Sequence, residues 1–329
     1  MNKLTTYALM AAASTATSQA ALTWTGGGDA ISLYQEANWQ DDQGSTPGAN
    51  TINGGADITA DTGGLIEISS GTGTPSNFGG TFQTGSGNSL TVGGGKTLAS
   101  IGRSDVTGGG AGTTLTVEGG ATLSVGDVSG FENHSFTDST VNLSSLTTSG
   151  GTLNSTNTSF TAGTAAINDA TTGNVASLNV TSSFTSNGTV GVVFNSLTLD
   201  GATASLTGMS GDSNVYLTNG STWASTFLTQ GVDVFIDATS SLSLAGAGDP
   251  INSQAVQTTI NLEVGAQLTL ASLEEFTEQG ADIFVNGVSF ANDTSILSFN
   301  GTTATAVPEP TSSVMIGLVG LGFILRRRR

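Results

Sequence analysis

Residues 178–236 read LNVTSSFTSNGTVGVVFNSLTLDGATASLTGMSGDSNVYLTNGSTWASTFLTQGVDVFI, and one short phrase keeps returning in them. Ser196-Leu197-Thr198-Leu199 passes through Asp200-Gly201-Ala202-Thr203 to Ser205-Leu206, and Asn214-Val215-Tyr216-Leu217 passes through Thr218-Asn219-Gly220-Ser221 to Trp223. Asp233-Val234-Phe235-Ile236 repeats the first half. Each phrase is a strand, a tight turn and a second strand. Leu, Val or Ile generally alternates with Thr, Ser or Asn, a period of two that sends apolar and polar side chains to opposite faces. From Leu178 to Leu197 is 19 residues, to Val215 a further 18, and to Val234 a further 19. Spacing of that size suits one coil of a parallel β-solenoid, in which a repeat buries its apolar face by stacking on its neighbours.

The phrase extends in both directions, to Ser89–Val92, Thr114–Val117, Thr122–Val125, Asn261–Val264, Leu268–Leu270 and Asp282–Val285. Spacing widens to 25 between Leu90 and Leu115 and to 28 between Val234 and Leu262, which reads as insertion at turns. The expected fold class is all-β, a parallel β-solenoid or β-helix with an N-terminal cap. The alternative is an antiparallel β-sandwich, because the DG, NG and GG turns also form hairpins. Phe131, Phe136, Phe160, Phe184 and Phe194 are expected to stack in the core, and 271–280 (ASLEEFTEQG) to form a short helix with its acidic residues mostly on one face.

Composition narrows the function. Of 329 residues 47 are glycine, none is cysteine, and only 10% are charged. Hydrophobic residues reach 36%, too many for a disordered chain. Absence of cysteine removes disulfides, thiolate metal sites and a thiol nucleophile. The net charge is −18, from seven basic and 25 acidic residues, so nucleic acid is not an expected partner.

Four of the seven basic residues are Arg326, Arg327, Arg328 and Arg329. Before them come the apolar run Val314–Leu325 and, earlier, Val307-Pro308-Glu309-Pro310. The order of these three parts resembles the PEP-CTERM family of sorting signals. That resemblance implies an exosortase-like processing enzyme of the inner membrane as partner, exopolysaccharide as a second one, and a destination at the cell surface or outside the cell. At the other end, Lys3, an apolar stretch from Tyr7 to Ala13, and Ser18-Gln19-Ala20 before Ala21 outline a signal peptide cleaved between Ala20 and Ala21. The opening WTGGGD…ANW, from Trp24 to Trp39, resembles passenger-like regions of surface proteins with autotransporter-associated β-strand repeats. It implies a cap.

The expected organisation is therefore a signal peptide at 1–20, cap and first coils at 21–88, and solenoid repeats at 89–300. A linker carrying the motif follows at 301–313, then a hydrophobic, membrane-spanning helix at 314–325 that anchors the chain transiently in the inner membrane, and the arginine cluster at 326–329.

Chemistry is sparse. His134 is the only histidine and is expected in a turn or facing solvent. Lys96 and Arg103 are the only basic residues left to serve a lyase, and a hydrolase needs two carboxylates facing one sugar bond, from among Asp200, Asp212, Asp233 and Asp237. Aspartates beside glycine read first as turn formers. No cofactor is expected; Asp41, Asp42, Asp57 and Asp61 would support at most weak Ca2+ binding. The expected function is an exported structural or adhesive protein, not an enzyme. The alternatives are a glycan-active hydrolase or lyase, and a carbohydrate-binding protein, which needs Trp24, Trp39 or Trp223 exposed on a concave face.

Overall fold

The computed structural model describes residues 20–28, 33, 35–48, 52, 56–60, 64–67, 81–83, 89–94, 96–99, 105–148, 150–252 and 256–308. It is a parallel β-solenoid, not a sandwich. Strands stack in three columns. The first runs through Ile58, Leu90, Leu115, His134 and Leu153. Farther along, that column carries Val190, Met209, Leu228 and Ile251. The second passes through Leu98, Leu123, Val141 and Phe160, then Leu178, Leu197, Val215, Val234, Ile260 and Ile283. The third carries Phe184, Ala204, Trp223, Leu242 and Leu268.

From Leu90 onward the apolar residues of these ladders form one continuous core; Leu115, Val141, Leu197, Val215, Val234 and Ile260 have no exposed surface. Each buried Val, Leu or Ile contributes about 1.5–3 kcal/mol, which is how a chain without disulfides holds together. Phe136 meets Phe160 edge-on at 5.1 Å, and Phe184 meets Phe194 at 6.2 Å, all inside the core as expected. One register differs from the sequence reading. Val234 pairs with Ile260 and Ile236 with Leu262, so the insertion between these coils is shorter than a Val234–Leu262 pairing requires.

Corners are held by side chains that copy the coil spacing. Asn219 donates from its side chain to Asp200 and from its backbone N–H to Asp237 (2.7 Å), tying three coils. Inside the same corner, Ser221 Oγ accepts from Ala202 N and Ser240 Oγ from Ser221 N, both at 3.0 Å and both 19 residues apart. Packing is tight enough to demand glycine at Gly151, where φ is +69° and a Cβ would lie 2.1 Å from the Glu132 carbonyl.

Antiparallel pairing covers individual columns at both ends of the stack. At the N-terminal end Leu22–Trp24 pairs antiparallel with Trp39–Asp41 while Ala20–Thr23 pairs parallel with Ala56–Thr59. At the C-terminal end Gln267–Thr269 pairs antiparallel with Thr303–Thr305, and that strand with Leu297–Asn300. The stretch from 301 onward, expected as a linker, thus begins with the strand Thr303–Ala306. The expected short helix is present as Leu273–Glu278, capped by Ser272. Two of its three acidic residues share a face, as expected, and the third does not. Glu275 is buried and accepts from Gly248 N at 2.8 Å, whereas Glu274 and Glu278 are exposed.

Candidate functional site

Lys96, Asp200, Asp233 and Asp237, four of the residues considered for sugar cleavage, are engaged within the fold. Lys96 is 1% exposed, with its ammonium 4.6 Å from the centroid of the Trp24 ring. It is a packing element of the cap. Asp200 and Asp237 bond to the same Asn219, and Asp233 accepts from Thr259 at 2.6 Å. Burial alone would raise the Asp237 carboxyl, but hydrogen bonds with Ser240, Thr239 and Asn219 outweigh it and hold the group below its usual range. Arg103 and Asp61 lie outside the described residues. Asp41 accepts from Gln43 N and Ser45 N, closing a turn, and among the described residues no group of three or more His, Asp or Glu side chains is placed to hold a metal ion.

The tryptophans do not form a sugar platform. Trp24 and Trp39 are buried and meet edge-on at 5.0 Å, with Trp39 Nε1 donating to Leu33 O at 2.6 Å. Trp223 is 2% exposed, in the third column. The cap reading of the opening stands, and the three tryptophans carry no exposed surface for stacking a ligand.

His134 corrects a sequence expectation. It lies in the strand Thr122–Thr137, paired with Leu115 on one side and Leu153 on the other, with no exposed surface. Its ring sits between Phe131 at 5.9 Å and Phe136 at 6.3 Å, and neither ring nitrogen makes a hydrogen bond. Burial pushes the imidazole down to about 4; the backbone of Thr152, which makes no hydrogen bond with the ring, opposes that shift without cancelling it. The segment Phe131–Phe136 looks like an insertion because a polar residue interrupts its alternation, and the register to the preceding coil does shift at Phe131, yet Asn133–Phe136 pairs in continuous register with both neighbouring coils.

One surface feature went unnoticed in the sequence. Tyr216 and Phe235 pair across adjacent rungs of the second column and stack nearly parallel, with centroids 4.9 Å apart and planes 13° apart. Tyr216 is 36% exposed. The stack ends at the next rung, where Asn261 pairs with Phe235. A cavity of about 300 Å³ opens beside it, its wall including Asp237, Asn261, Glu263 and Asn286. The signal was available: on the outward face of this column Asn142, Thr161, Asn179 and Thr198 precede the pair, and two consecutive aromatics break that polar series.

The sorting segment starts where the body is sealed. Ala306 N donates to Ala266 O at 3.0 Å and Val307 N to Ile296 O at 2.9 Å. Pro308 is exposed; Glu309, Pro310 and Arg326–Arg329 lie outside the described residues. At the other end Ala20 and Ala21 belong to the first strand, opposite Ala56 and Asp57. The expectation of a transmembrane helix is corrected: among the described residues no helix is long and apolar enough to cross a membrane, and 314–325 lies outside them. Comparison with protein families matches residues 306–329 to the PEP-CTERM protein-sorting motif. No curated protein matches the chain, and no solved structure does. The motif supports export to the cell surface through an exosortase-type processing system.

Proposed function

We propose that the protein is a non-catalytic structural or adhesive component of the extracellular exopolysaccharide matrix. In this reading a signal peptide cleaved between Ala20 and Ala21 carries it out of the cytoplasm. The chain is held briefly at the inner membrane while an exosortase-type enzyme removes the tail. The observation that carries the reading is the sorting motif beginning directly after a strand that closes a solenoid. A rigid rod with polar outer ladders and a single processing address suits a part that is delivered and then stays folded. Engagement of Asp200 and Asp237 by Asn219, and of Asp233 by Thr259, supports a structural role for these carboxylates.

The test is the intact mass of the protein recovered from each fraction of its own cells. A species from Ala21 to near Pro310, found outside the inner membrane, is the expected result. Chains that keep everything through Arg329 and stay in the inner membrane would overturn the processing route.

A further inference from the structure

We propose that the stacked pair Tyr216 and Phe235 is the platform of a glycan-binding subsite that takes the uncharged sugar units of a polysaccharide. This rests on the matrix role proposed above and gives it a location.

Four observations converge. A solvent-facing aromatic pair on a ladder whose preceding rungs are polar exposes apolar surface that the core, on the other face, does not use. The geometry is also unlike that of the buried aromatic pairs Trp24–Trp39, Phe136–Phe160 and Phe184–Phe194, which meet edge-on at 79° to 87°. Third, the stack stops short. At Asn261 a small polar side chain stands where a third ring would continue it, and the cavity opens there. Its volume, about 300 Å³, is at the lower end of the range that holds small ligands.

Finally, the surrounding groups choose the ligand. Glu263 offers carboxylate oxygens that accept from hydroxyls, and Asn286 adds an amide that both donates and accepts. Asn261, whose N–H groups go to Thr259 and Val234, adds its carbonyl oxygen, while the Asp237 carboxylate, held by Thr239 and Asn219, contributes mainly its negative charge. A sugar ring has an apolar C–H face to lie against an aromatic ring and a rim of hydroxyls to meet such groups. An anionic sugar, a phosphate or a nucleic acid would face two carboxylates on a chain of net charge −18. An uncharged, hydroxyl-rich ring is the occupant that fits both halves of the site.

The experiment passes the protein recovered from cells over immobilised exopolysaccharide purified from the same cells. Wild type is expected to be retained, with little change at about 0.5 M salt, because stacking is not ionic. Tyr216→Ala/Phe235→Ala is expected to bind about tenfold more weakly, Tyr216→Phe within about twofold of wild type, and Glu274→Gln, on the distant helix, unchanged. Asn261→Trp fills the step beside Phe235 while leaving both rings in place, and is expected to abolish retention even if the double variant folds poorly. Retention of Asn261→Trp and of a folded double variant at wild-type strength overturns the site and leaves the matrix role standing. Failure of wild type to be retained overturns the matrix role and the site with it. Retention that disappears in salt overturns the platform in favour of a cationic partner.

Discussion

At position 134 the first column puts an imidazole between two leucine rungs, and both ring nitrogens are buried without a hydrogen bond. Each unpaired buried polar group costs about 1–3 kcal/mol. His134→Leu restores the aliphatic ladder and is expected to raise stability at pH 7 by about 1–2 kcal/mol, read from the denaturant midpoint. The pH dependence has a definite sign. The folded imidazole titrates at about 4 and the unfolded one near 6.5, so between these values the unfolded chain binds a proton that the folded chain does not. The neutral core histidine carries no such penalty above pH 6.5. Stability falls as pH drops from 6.5 towards 4, by about 3 kcal/mol across the window. His134→Leu should remove that slope; an unchanged slope between pH 6.5 and 4 would assign it to other groups.

At the scale of the element the decisive pieces are the two closing strand pairs. A solenoid has two open edges, each a row of unpaired N–H and C=O groups ready to accept another chain. Here Leu22–Trp24 with Trp39–Asp41 covers a column at one, and Thr303–Ala306 with Leu297–Asn300 covers a column at the other, in each case by reversing strand direction. Ending the chain at Ser272 bares Gln267–Thr269 and is expected to turn a monomer into concentration-dependent oligomers, seen by light scattering. A variant that remains monomeric would show that the edge is protected otherwise. The coil strands were legible because period two and a recurring turn are carried by every rung. The closing strand Thr303–Ala306 was not, since Thr-Ala-Thr-Ala has no large apolar residue and looks like a linker; tertiary pairing, not its own pattern, makes it a strand.

For the whole molecule, contacts run only between neighbouring coils, so stability is a sum of local terms. Leu197→Ala leaves a hole between Leu178 and Val215 and is expected to cost about 2–5 kcal/mol. Hydrogen exchange should show the loss of protection concentrated in coils beside position 197 and fading towards the caps; a uniform loss would mean the rod unfolds as one unit. At this scale sequence reasoning recovered the route and the architecture but not the surface. The VPEP and arginine pattern is a contiguous string, readable without a fold. The Tyr216–Phe235 platform exists only once residues 19 apart are laid side by side; alternation places each ring on the outward face but does not show that the two meet.

The hydrogen bonds of Ala306 and Val307 to the body have a consequence for the order of assembly. A chain leaving the ribosome delivers its last sealing strand only one residue before the sorting motif begins. Synthesis that stops early therefore yields a rod lacking its lid and its passport together. An unfinished, sticky product also lacks the address that an exosortase-type system would read.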